Sequence, residues 1–477
     1  MSTVFDAWQL GQVSAEVSLA GHGRRPGIER LQRERLAQIL TGAARHSRLY
    51  GQRLGHDVEG KDPWQVLSRL EPVGRQELMS RFAEWVTDPQ VHLAALREHT
   101  ADPGRIGEPF LDRYLVWESS GTSGSPGIFV QDARCMAVYD ALESQRRCRL
   151  QALRRWFDPL CLSERVAFVG ATGGHFASFV SVERLRRIQP WLAGAVRSFS
   201  IMLPLDELVS RLNDFAPTVI ASYPTAADLL GQEAVLGHLQ VPVREIWTGG
   251  ETLTGAVRRR LAQAFPQASV RNSYGASEFL AMAWECEHGQ LHLNSDWVIL
   301  EPVDEHHRAV PAGHASAAVL LTHLANTVQP LIRYDLGDHV CFRAEPCPCG
   351  SPLPAIEVQG RRDDTLRVAG RHGQAVALLP LALSTVLEDS AALFDFQICQ
   401  QDEQTLILRL PQSGNEGRLA LARGRKVLQD FARAQGSLPL KVRGELGCQM
   451  PRGRSGKACR ILPGRTKSSD AAVDGVR

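Results

Sequence analysis

The sequence lacks an apolar stretch long enough to cross a membrane, and Met1–Leu19 mixes charged and polar residues where a secretory signal would have an apolar core. It also lacks a strong charge of one sign, because the formal net charge is only +2 at pH 7. The arginine clusters at 184–187 and 258–260 are typical of solvated helix faces. We therefore expect a cytoplasmic protein whose partner is neither a membrane nor a nucleic acid.

Cysteine is not scarce, but it is not arranged as in a small secreted scaffold. Ten cysteines are spread unevenly over 477 residues, and without a secretory signal they are expected to stay reduced. A local cysteine cluster therefore indicates a metal site rather than disulfides. The chain is too long for a single hydrophobic core, so two or more domains are expected.

Two common nucleotide-binding patterns are missing from the glycine-rich part of the chain, namely G-x-x-x-x-G-K-[ST] and G-x-G-x-x-G. What is present is Ser119-Ser-Gly-Thr-Ser-Gly-Ser-Pro-Gly127, between strand-like segments at 113–117 and 128–130. Its glycines permit close backbone approach, and its hydroxyl and N–H groups can converge as donors. The run indicates a site for a nucleotide phosphate, and a plain Gly/Ser hairpin turn is the alternative.

Hydrophobic periodicity predicts the organisation of the chain. Residues 1–110 are expected to be helical, because apolar residues recur at helical spacing from Ile28 to Ala43 and again over 64–70 and 77–85. Beyond Tyr114, strands are expected at 165–169, 218–221, 245–247, 269–271 and 317–322, and helices at 205–215 and 253–264. This alternation predicts an α/β fold with parallel sheets over residues 111–360.

A smaller α+β unit is predicted for residues 361–465. Its helices are expected at 378–388 and 417–433, and its strands at 395–399, 405–409 and 440–442. Residues 466–477 are mostly small and polar and are expected to be disordered.

Five further motifs follow the hydroxyl-rich run: Trp247-Thr-Gly-Gly-Glu251, Ser273-Tyr-Gly-Ala-Ser-Glu278, Arg333-Tyr-Asp-Leu-Gly-Asp338, Gly360-Arg-Arg-Asp-Asp364 and Ser455-Gly-Lys457. The first is expected to follow a strand and open a helix, and the second to follow the next strand. Each is weak alone, but their order resembles that of the adenylate-forming (ANL) superfamily, and within it the phenylacetate–CoA ligase group with its CapK-like members. The resemblance covers about residues 30–462. It implies a large multi-layer α/β domain of the acyl-CoA synthetase type with a small mobile α+β C-terminal domain.

The resemblance also implies a site for ATP and Mg²⁺. Phosphate oxygens would be held by the hydroxyl-rich run, through Ser119, Ser120, Gly121, Thr122, Ser123 and Gly124, with Thr122 also acting in catalysis. Glu278 would bind Mg²⁺, which prefers carboxylate and phosphate oxygens. Tyr274 would stack on adenine in a pocket lined by Gly249, Gly250, Glu251, Ser273, Gly275 and Ser277. Asp338 would bind the ribose hydroxyls, and Arg361 would contact the nucleotide. From the residues alone, a solvated glutamate, a core tyrosine and a turn aspartate remain alternatives.

Further roles rest on the same resemblance. Lys457 would bridge the substrate carboxylate and the α-phosphate, since a flexible stem with a point charge suits a group that enters and leaves. Asp363 would lie at the hinge between the domains, and Gly370 beside the path of the CoA pantetheine arm. Without the family resemblance, Lys457 would be interpreted as a solvated loop residue and Asp363 as part of a surface turn.

Two positions in the run depart from the family pattern. Relatives often have lysine where this chain has Ser125 or Gly127. Loss of that cation would weaken the contact with the β- and γ-phosphates, so we expect a higher ATP requirement rather than inactivity. His175 and Phe176 lie where the superfamily places groups that line the acyl pocket, although His175 could equally be an ordinary loop histidine.

The cysteines form a second pattern. Cys286 and His292 are spaced C-x₅-H, and Cys347 and Cys349 form C-x-C further on. Together they would supply four ligands suited to a tetrahedral structural Zn²⁺. His288 competes with His292 as the fourth ligand, and unconnected cysteines are the remaining alternative.

The expected reaction is ATP-dependent conversion of a carboxylic acid to acyl-AMP, followed by transfer to CoA. By analogy with the group, the acid is expected to be aromatic or aryl-alkanoic. Two other functions stay open: transfer to an amine or a carrier-protein thiol, and nucleotide binding without turnover. Whether the chain forms a homodimer also stays open.

Overall fold

The computed structural model describes residues 6–55, 58–119, 126–147, 164–189, 193–371, 373–450 and 459–464, apart from the side chains of His22 and Asp363. These residues divide into two compact units, one of residues 6–253 and 257–358 and one of residues 254–256 and 359 onward. The domain limits expected from the sequence, at 110, 360 and 465, stay predictions.

The described part of the first hundred residues is mostly helical, as predicted. Their α-helices are α1 (Ala7–His22), α2 (Arg25–His46), α3 (Arg48–Leu54), α4 (Pro63–Arg69), α5 (Arg75–Ser80), α6 (Phe82–Trp85) and α7 (Leu93–Ala101), and a 3₁₀ turn follows at Pro103–Arg105. The Asp6 side chain caps α1 by accepting from the N–H groups of Trp8 and Gln9. The periodic residues of α2 form its buried face.

One helix differs from its prediction. The segment 77–85 is divided at Arg81, whose φ of −110° and ψ of 32° lie outside the helical region. The second piece is held by a tertiary contact, because the Trp85 indole N–H donates to the Pro330 carbonyl at 2.6 Å. Periodicity along the chain carries no information about such a contact.

An antiparallel hairpin of β1 (Leu115–Glu118) and β2 (Ile128–Gln131) flanks the hydroxyl-rich run and leads into α8 (Ala133–Leu142), which continues as a π-helix over Glu143–Arg147. Strands and helices then alternate as β3 (Val166–Gly170), α9 (Ala177–Ile188), β4 (Val196–Ser200), α10 (Leu205–Phe215), β5 (Val219–Ser222), α11 (Pro224–Val235), β6 (Glu245–Thr248), α12 (Gly255–Ala264) and β7 (Ser269–Ala276). The strands after them are β8 (Phe279–Glu285), β9 (Leu291–Leu293), β10 (Val298–Val303), β11 (Ala318–His323), β12 (Tyr334–Asp335), β13 (Asp338–Phe342) and β14 (Ala355–Arg361).

The largest sheet has nine strands in the order β13-β14-β9-β8-β7-β6-β5-β3-β4. Strands β4, β3, β5, β6 and β7 are parallel, whereas β7–β8, β8–β9 and β9–β14 are antiparallel. The expectation of parallel sheets is therefore correct only for the first part. The strand order reverses between β3 and β5, and ligands of open α/β sheets bind at such points, beyond the carboxyl ends of the strands.

Two motifs lie differently from their predicted positions. Ser273 and Tyr274 belong to β7 instead of following it, because the antiparallel partner β8 extends the pairing of β7 beyond its parallel neighbour. Trp247 and Thr248 belong to β6, and α12 begins at Gly255, so the Trp-Thr-Gly-Gly-Glu motif does not itself open the helix.

The second unit has an α+β arrangement. Its elements are β15 (Leu366–Ala369), β16 (Ala375–Leu378), α13 (Pro380–Ala391), β17 (Gln397–Asp402), β18 (Thr405–Leu410), α14 (Gly414–Ala434), β19 (Lys441–Leu446) and β20 (Ile461–Leu462). A four-stranded sheet, β19-β18-β17-β20, packs on the helices around its own core. The α14 glycine Gly424 permits close packing, because a Cβ there would lie 2.6 Å from Leu408. The β15–β16 hairpin was not predicted, and Leu378 ends β16 instead of starting a helix.

None of the helices in the described part of the chain is long and apolar enough to span a membrane.

Candidate functional site

The two ends of the hydroxyl-rich run, Ser119 and Gly127, are hydrogen-bonded to each other, and we call this pair the neck of the loop. The Ser119 N–H donates to the Gly127 carbonyl at 2.8 Å, and the Gly127 N–H donates to Ser119 Oγ at 2.8 Å. The other predicted phosphate-binding residues, Ser120, Gly121, Thr122, Ser123 and Gly124, lie outside the described residues, as does Ser125. The described part therefore shows how the run is anchored, and it gives the Ser119 hydroxyl a role in closing the neck.

Gly127 offers a physical reason for one departure from the family pattern. A Cβ at this position would lie 3.1 Å from the Phe129 ring and 3.2 Å from Cδ of Arg75. Phe129 is fully buried and has little room to move. A longer residue such as lysine would therefore be crowded here, and the missing side chain leaves space for the stem of Arg75.

Glu278 lies in the turn between β7 and β8 and is only 8% exposed. Its Oε1 accepts a hydrogen bond of 2.8 Å from the hydroxyl of Tyr334 on β12. The same turn is fixed to the hairpin, because the Trp117 indole N–H donates to the Ser277 carbonyl at 2.8 Å. A predicted metal ligand is thus held next to the strand that leads into the hydroxyl-rich run.

Asp338 and Tyr274 form a second tyrosine–carboxylate pair. Tyr274 on β7 donates from its hydroxyl to Asp338 Oδ2 at the start of β13, at 2.6 Å, and both residues are buried. The structure therefore brings the Ser-Tyr-Gly and Arg-Tyr-Asp motifs together twice, through Tyr274–Asp338 and Tyr334–Glu278. Buried carboxylates need such donors, because a buried charge without partners is very costly.

The predicted adenine pocket is tightly built. A Cβ at Gly249 would lie 2.6 Å from Ser273 Oγ, which itself donates to the Thr248 carbonyl at 3.0 Å. Glu251 Oε2 accepts from the N–H of Thr225 at 3.2 Å and from its hydroxyl at 2.8 Å. Glu251 thus stabilises the first turn of α11, and Gly250 has a φ of 77°, which favours glycine.

Gly275 is required by the backbone itself. A Cβ at this position would lie 1.9 Å from the Leu280 carbonyl oxygen, at the point where the β7–β8 pairing shifts register. No side chain can occupy that space. The glycine in the Ser-Tyr-Gly motif is therefore explained by strand pairing, whatever it contributes to a nucleotide pocket.

His175 and Phe176 follow β3, beside the point where the strand order reverses. The Glu118 N–H donates to the His175 carbonyl at 2.7 Å, so this loop is attached to the end of β1, next to Ser119. His175 is 2% exposed, and among the described residues neither ring nitrogen has a hydrogen-bond partner. Its ring centroid lies 5.6 Å from that of the buried His99 on α7, and burial lowers the pKa of both imidazoles.

Two residues near the site were not predicted from the sequence. Tyr334 lies inside the Arg-Tyr-Asp motif, so the sequence could have suggested it as a site residue. The sequence could not have suggested that its hydroxyl donates to Glu278. His99 lies in a helix far along the chain from His175 and carries no motif signal.

The residues predicted for the C-terminal part are less informative. Arg361 is the last residue of β14, and Asp363 belongs to a 3₁₀ turn at Arg362–Asp364. A Cβ at Gly370 would lie 2.5 Å from the Gln374 carbonyl, so the β15–β16 hairpin itself requires glycine there. Lys457 lies outside the described residues.

A cluster of four ligand groups lies beside the large sheet. Cys286 follows β8, His292 is on β9, and Cys347 and Cys349 lie between β13 and β14; their ligand atoms all lie within 4.8 Å of one another. The Cys286 and Cys347 sulfurs are 3.7 Å apart, and Cys349 Sγ is 3.3 Å from His292 Nε2. Two thiolates on a tetrahedral zinc ion are about 3.8 Å apart, whereas a disulfide needs about 2.05 Å. The structure brings together the four residues predicted from their spacing, and His288 is not among them.

The surroundings of this cluster suit a cation. His292 Nδ1 lies 2.9 Å from the Leu353 carbonyl, so it carries the proton and leaves Nε2 as the ligand atom. The Ser351 N–H donates to Cys349 Sγ at 3.4 Å. Burial raises the pKa of the Cys349 thiol to about 12 and also raises that of Cys286. A metal ion would reverse this effect by stabilising the thiolates. The donor set of three sulfurs and one imidazole nitrogen within 4.8 Å is of a kind that binds Zn²⁺.

No protein-family model matches this chain, and no curated protein sequence matches it. Solved structures do match. The fold is similar to that of 2-hydroxyisobutyryl-CoA ligase in the postadenylation state in complex with 2-HIB-AMP, with a TM-score of 0.66 and 20% identity over 94% of this chain and 91% of that chain. A benzoate CoA ligase from Burkholderia xenovorans LB400 has a TM-score of 0.50 and 18% identity over 72% and 67% of the two chains. Acetoacetyl-CoA synthetase from Streptomyces lividans has a TM-score of 0.50 and 14% identity over 72% and 54%.

These likenesses confirm the predicted fold class: the chain has the acyl-CoA ligase fold, with a large α/β domain and a smaller C-terminal domain. At such identities they show the fold and not the chemistry. The assignment to the phenylacetate–CoA ligase group and the mobility of the small domain stay predictions.

Proposed function

We propose that this protein uses ATP to convert a carboxylic acid to acyl-AMP and pyrophosphate, and then transfers the acyl group to CoA. The observation that carries the proposal is the pairing of Tyr334 with Glu278 and of Tyr274 with Asp338. Two buried carboxylates from separate motifs are thereby held by tyrosine hydroxyls, and the turn that carries Glu278 is bonded to β1, which leads into the hydroxyl-rich run. The likeness to solved acyl-CoA ligases is consistent with this chemistry.

In this proposal the site overcomes the repulsion between two anions. A carboxylate must approach the α-phosphate of ATP, so cations and positioned donors are needed where charge accumulates. Glu278 would hold Mg²⁺, which neutralises phosphate charge when bound. Asp338 would accept from the ribose hydroxyls, Tyr274 would contact adenine, and Lys457 would contact both the carboxylate and the α-phosphate. Ser119 and the residues of the run, including Thr122, would surround the phosphates.

The acid is proposed to be aromatic or aryl-alkanoic, from the resemblance to the phenylacetate–CoA ligase group. Support for the pocket comes from the position of His175 and Phe176 beyond β3, beside the crevice where the strand order reverses. Because one solved neighbour is a ligase for 2-hydroxyisobutyrate, small hydroxy acids belong in any substrate test.

The remaining assignments are proposals of the same kind. Arg361 would contact the nucleotide, Asp363 would serve as hinge and Gly370 would lie beside the pantetheine arm. The cluster of Cys286, His292, Cys347 and Cys349 would hold a structural Zn²⁺, because four protein ligands leave no open position for substrate. The reaction would take place in the cytoplasm.

The first experiment is pyrophosphate release from ATP and Mg²⁺ across aryl, aryl-acetic, hydroxy and simple aliphatic acids, each with and without CoA, with products identified by mass spectrometry. We expect acid-dependent pyrophosphate and acyl-AMP, which becomes acyl-CoA when CoA is added. Acyl-AMP that CoA does not consume would favour an amine or carrier-protein acceptor. Nucleotide binding without pyrophosphate from any acid would favour a non-catalytic protein.

Glu278→Gln tests whether the site found here performs the reaction. The change keeps the size of the side chain but removes the charge that would hold Mg²⁺, so pyrophosphate release should fall at least about 100-fold. The control is Glu34→Gln on the exposed face of α2, which should leave the rate unchanged. Equal rates in both variants would exclude Glu278 from the chemistry.

A further inference from the structure

Tyr334 is held unusually firmly for a residue of a two-residue strand. Its backbone pairs with Leu321 of β11 on one side and bridges to Val73 on the other. The Val73 N–H donates to the Arg333 carbonyl at 3.0 Å, and the Asp335 N–H donates to the Val73 carbonyl at 2.9 Å. The tyrosine ring is 4% exposed, so both its backbone and its side chain are confined.

The residue before it adopts a conformation that is costly for a non-glycine residue. Arg333 has a φ of 50°, in the left-handed region, which is unfavourable for a residue with a Cβ because the Cβ lies too close to the carbonyl oxygen. Its N–H donates to Thr322 Oγ1 at 3.0 Å, and its guanidinium donates to the Ser68 carbonyl at 3.2 Å. Backbone strain that the surroundings maintain in this way is found mainly at active sites, ligand clamps and switch regions.

The side chain of Tyr334 points toward Glu278. The Tyr334 hydroxyl donates to Glu278 Oε1 at 2.8 Å. We propose that Tyr334 is a positioning residue, which holds the Glu278 carboxylate in the orientation that binds the divalent cation of the Mg²⁺–ATP complex. This inference rests on the proposed function, and it assigns to the Arg-Tyr-Asp motif a task in addition to that of Asp338.

The physical reason is preorganisation. A glutamate side chain has three rotatable bonds, and immobilising it when the cation arrives would cost conformational entropy. A hydrogen bond formed beforehand fixes the carboxylate, and loss of such an outer partner typically weakens metal binding about 10–100-fold. The same hydrogen bond also withdraws negative charge from the carboxylate, which would weaken its binding of the cation. Whether cation affinity falls or rises when the hydroxyl is removed therefore tests the inference.

The test is Tyr334→Phe, which keeps the ring and removes the hydroxyl. Binding of Mn²⁺ to the enzyme is measured by electron paramagnetic resonance with a methylene-bridged ATP analogue that cannot release pyrophosphate. We expect Mn²⁺ affinity to fall about tenfold, while binding of the analogue without metal stays unchanged. The matched control is Tyr114→Phe, because the Tyr114 hydroxyl also donates to a carboxylate, Asp88 Oδ2, at 2.7 Å, and not to Glu278. The Mn²⁺ affinity of this variant should equal that of the wild type.

A double variant separates positioning from general weakening of the fold. In the Glu278→Gln background, residual Mn²⁺ binding through the nucleotide phosphates should not fall further when Tyr334 is changed. The inference is overturned if Tyr334→Phe binds Mn²⁺ as tightly as the wild type or more tightly, or if Tyr114→Phe loses as much Mn²⁺ affinity. It is also overturned if the losses add in the double variant, or if the wild type binds no Mn²⁺. A failure of the proposed function would give a different result. The protein would still bind Mn²⁺ and the analogue, but no acid would cause it to release pyrophosphate.

Discussion

At the scale of single residues, the candidate site consists of side chains whose partners are distant in sequence. The motifs predicted Glu278, Tyr274 and Asp338 as site residues. They could not predict that Tyr274 donates to Asp338, 64 positions away, or that Tyr334 donates to Glu278, 56 positions away. Motif spacing reports the order of residues, whereas hydrogen-bond partners depend on how the strands lie side by side.

Gly275→Ala is expected to destabilise the protein strongly. The new Cβ would lie 1.9 Å from the Leu280 carbonyl oxygen, and a backbone atom cannot move aside as a flexible side chain can. We expect the free energy of unfolding to fall by at least about 3 kcal/mol, measured by urea denaturation. The control is Gly42→Ala within α2, where a Cβ meets nothing within 4 Å, and which should raise stability by about 0.5–1 kcal/mol. A Gly275→Ala protein as stable as the wild type would show that β7 and β8 pair differently.

At the scale of elements, the metal cluster lies at the ends of segments that neighbour one another in the nine-stranded sheet. The turn after β8, the short strand β9 and the β13–β14 connection each contribute ligands. A bound metal would therefore fix the far part of the nine-stranded sheet, on the side of β7 opposite the parallel strands. Its proposed role is structural for this reason.

Cys347→Ser should remove the metal and lower thermal stability together. One thiolate ligand of four is lost, so zinc content measured by elemental analysis should fall from about one ion per chain to a small fraction. The apparent melting temperature should fall by about 5 °C or more. The matched control is Cys341→Ser on β13, a half-buried cysteine outside the cluster, which should retain its zinc. Unchanged zinc content in Cys347→Ser would exclude this site.

A second element-scale feature is a buried polar group between β11 and α8. His323 at the end of β11 accepts at Nδ1 from the N–H groups of Ala325 and Asn326, and its Nε2 lies 3.0 Å from the Tyr139 hydroxyl. The Cys135 sulfur lies 3.5 Å from the same Nε2. Complete burial lowers the pKa of His323 to about 3. The imidazole is therefore neutral in the folded protein.

This group predicts a loss of stability in acid. The unfolded chain takes up a proton near pH 6.5 and the folded chain only near pH 3, so the stabilisation is complete above pH 6.5 and decreases as the pH falls toward 3. Between pH 7 and pH 5, the free energy of unfolding should fall by about 2 kcal/mol through this residue. His323→Asn keeps an acceptor near the Nδ1 position but cannot titrate, and its pH dependence should be smaller by that amount. Identical pH slopes for both proteins would contradict the assignment.

At the scale of the whole molecule, the chain joins a large α/β unit and a smaller α+β unit, and it has the acyl-CoA ligase fold. The proposed reaction has two halves with different needs. Making acyl-AMP requires charge neutralisation at the α-phosphate, where two anions meet, whereas in thioester formation the CoA thiol loses its proton, bonds to the acyl carbon and displaces AMP.

Lys457→Ala should separate these two halves. Because the lysine is proposed to act only in the formation of acyl-AMP, that step should fall about 100-fold or more, while synthetic acyl-AMP and CoA should still give acyl-CoA near the wild-type rate. Lys426→Ala on α14 serves as a control for the loss of another lysine. Equal loss of both half-reactions would contradict the separation, and the two rates are measured by mass spectrometry of acyl-AMP and acyl-CoA.

The sequence by itself determined the helical pattern of the N-terminal part, the alternation of strands and helices from β3 to β7, the α+β character of the second unit and the three cysteines of the cluster, with His292 or His288 as the fourth member. These features depend on local periodicity and on residue types at short spacing, which a chain carries without reference to its fold. Only the tertiary structure decided that β8, β9 and β14 are antiparallel, that the segment 77–85 is divided at Arg81, and that Glu251 stabilises α11. It also decided that Tyr334 and Glu278 meet. Each of these depends on contacts between segments far apart in sequence, and such contacts are selected by packing of the whole core rather than by any local pattern.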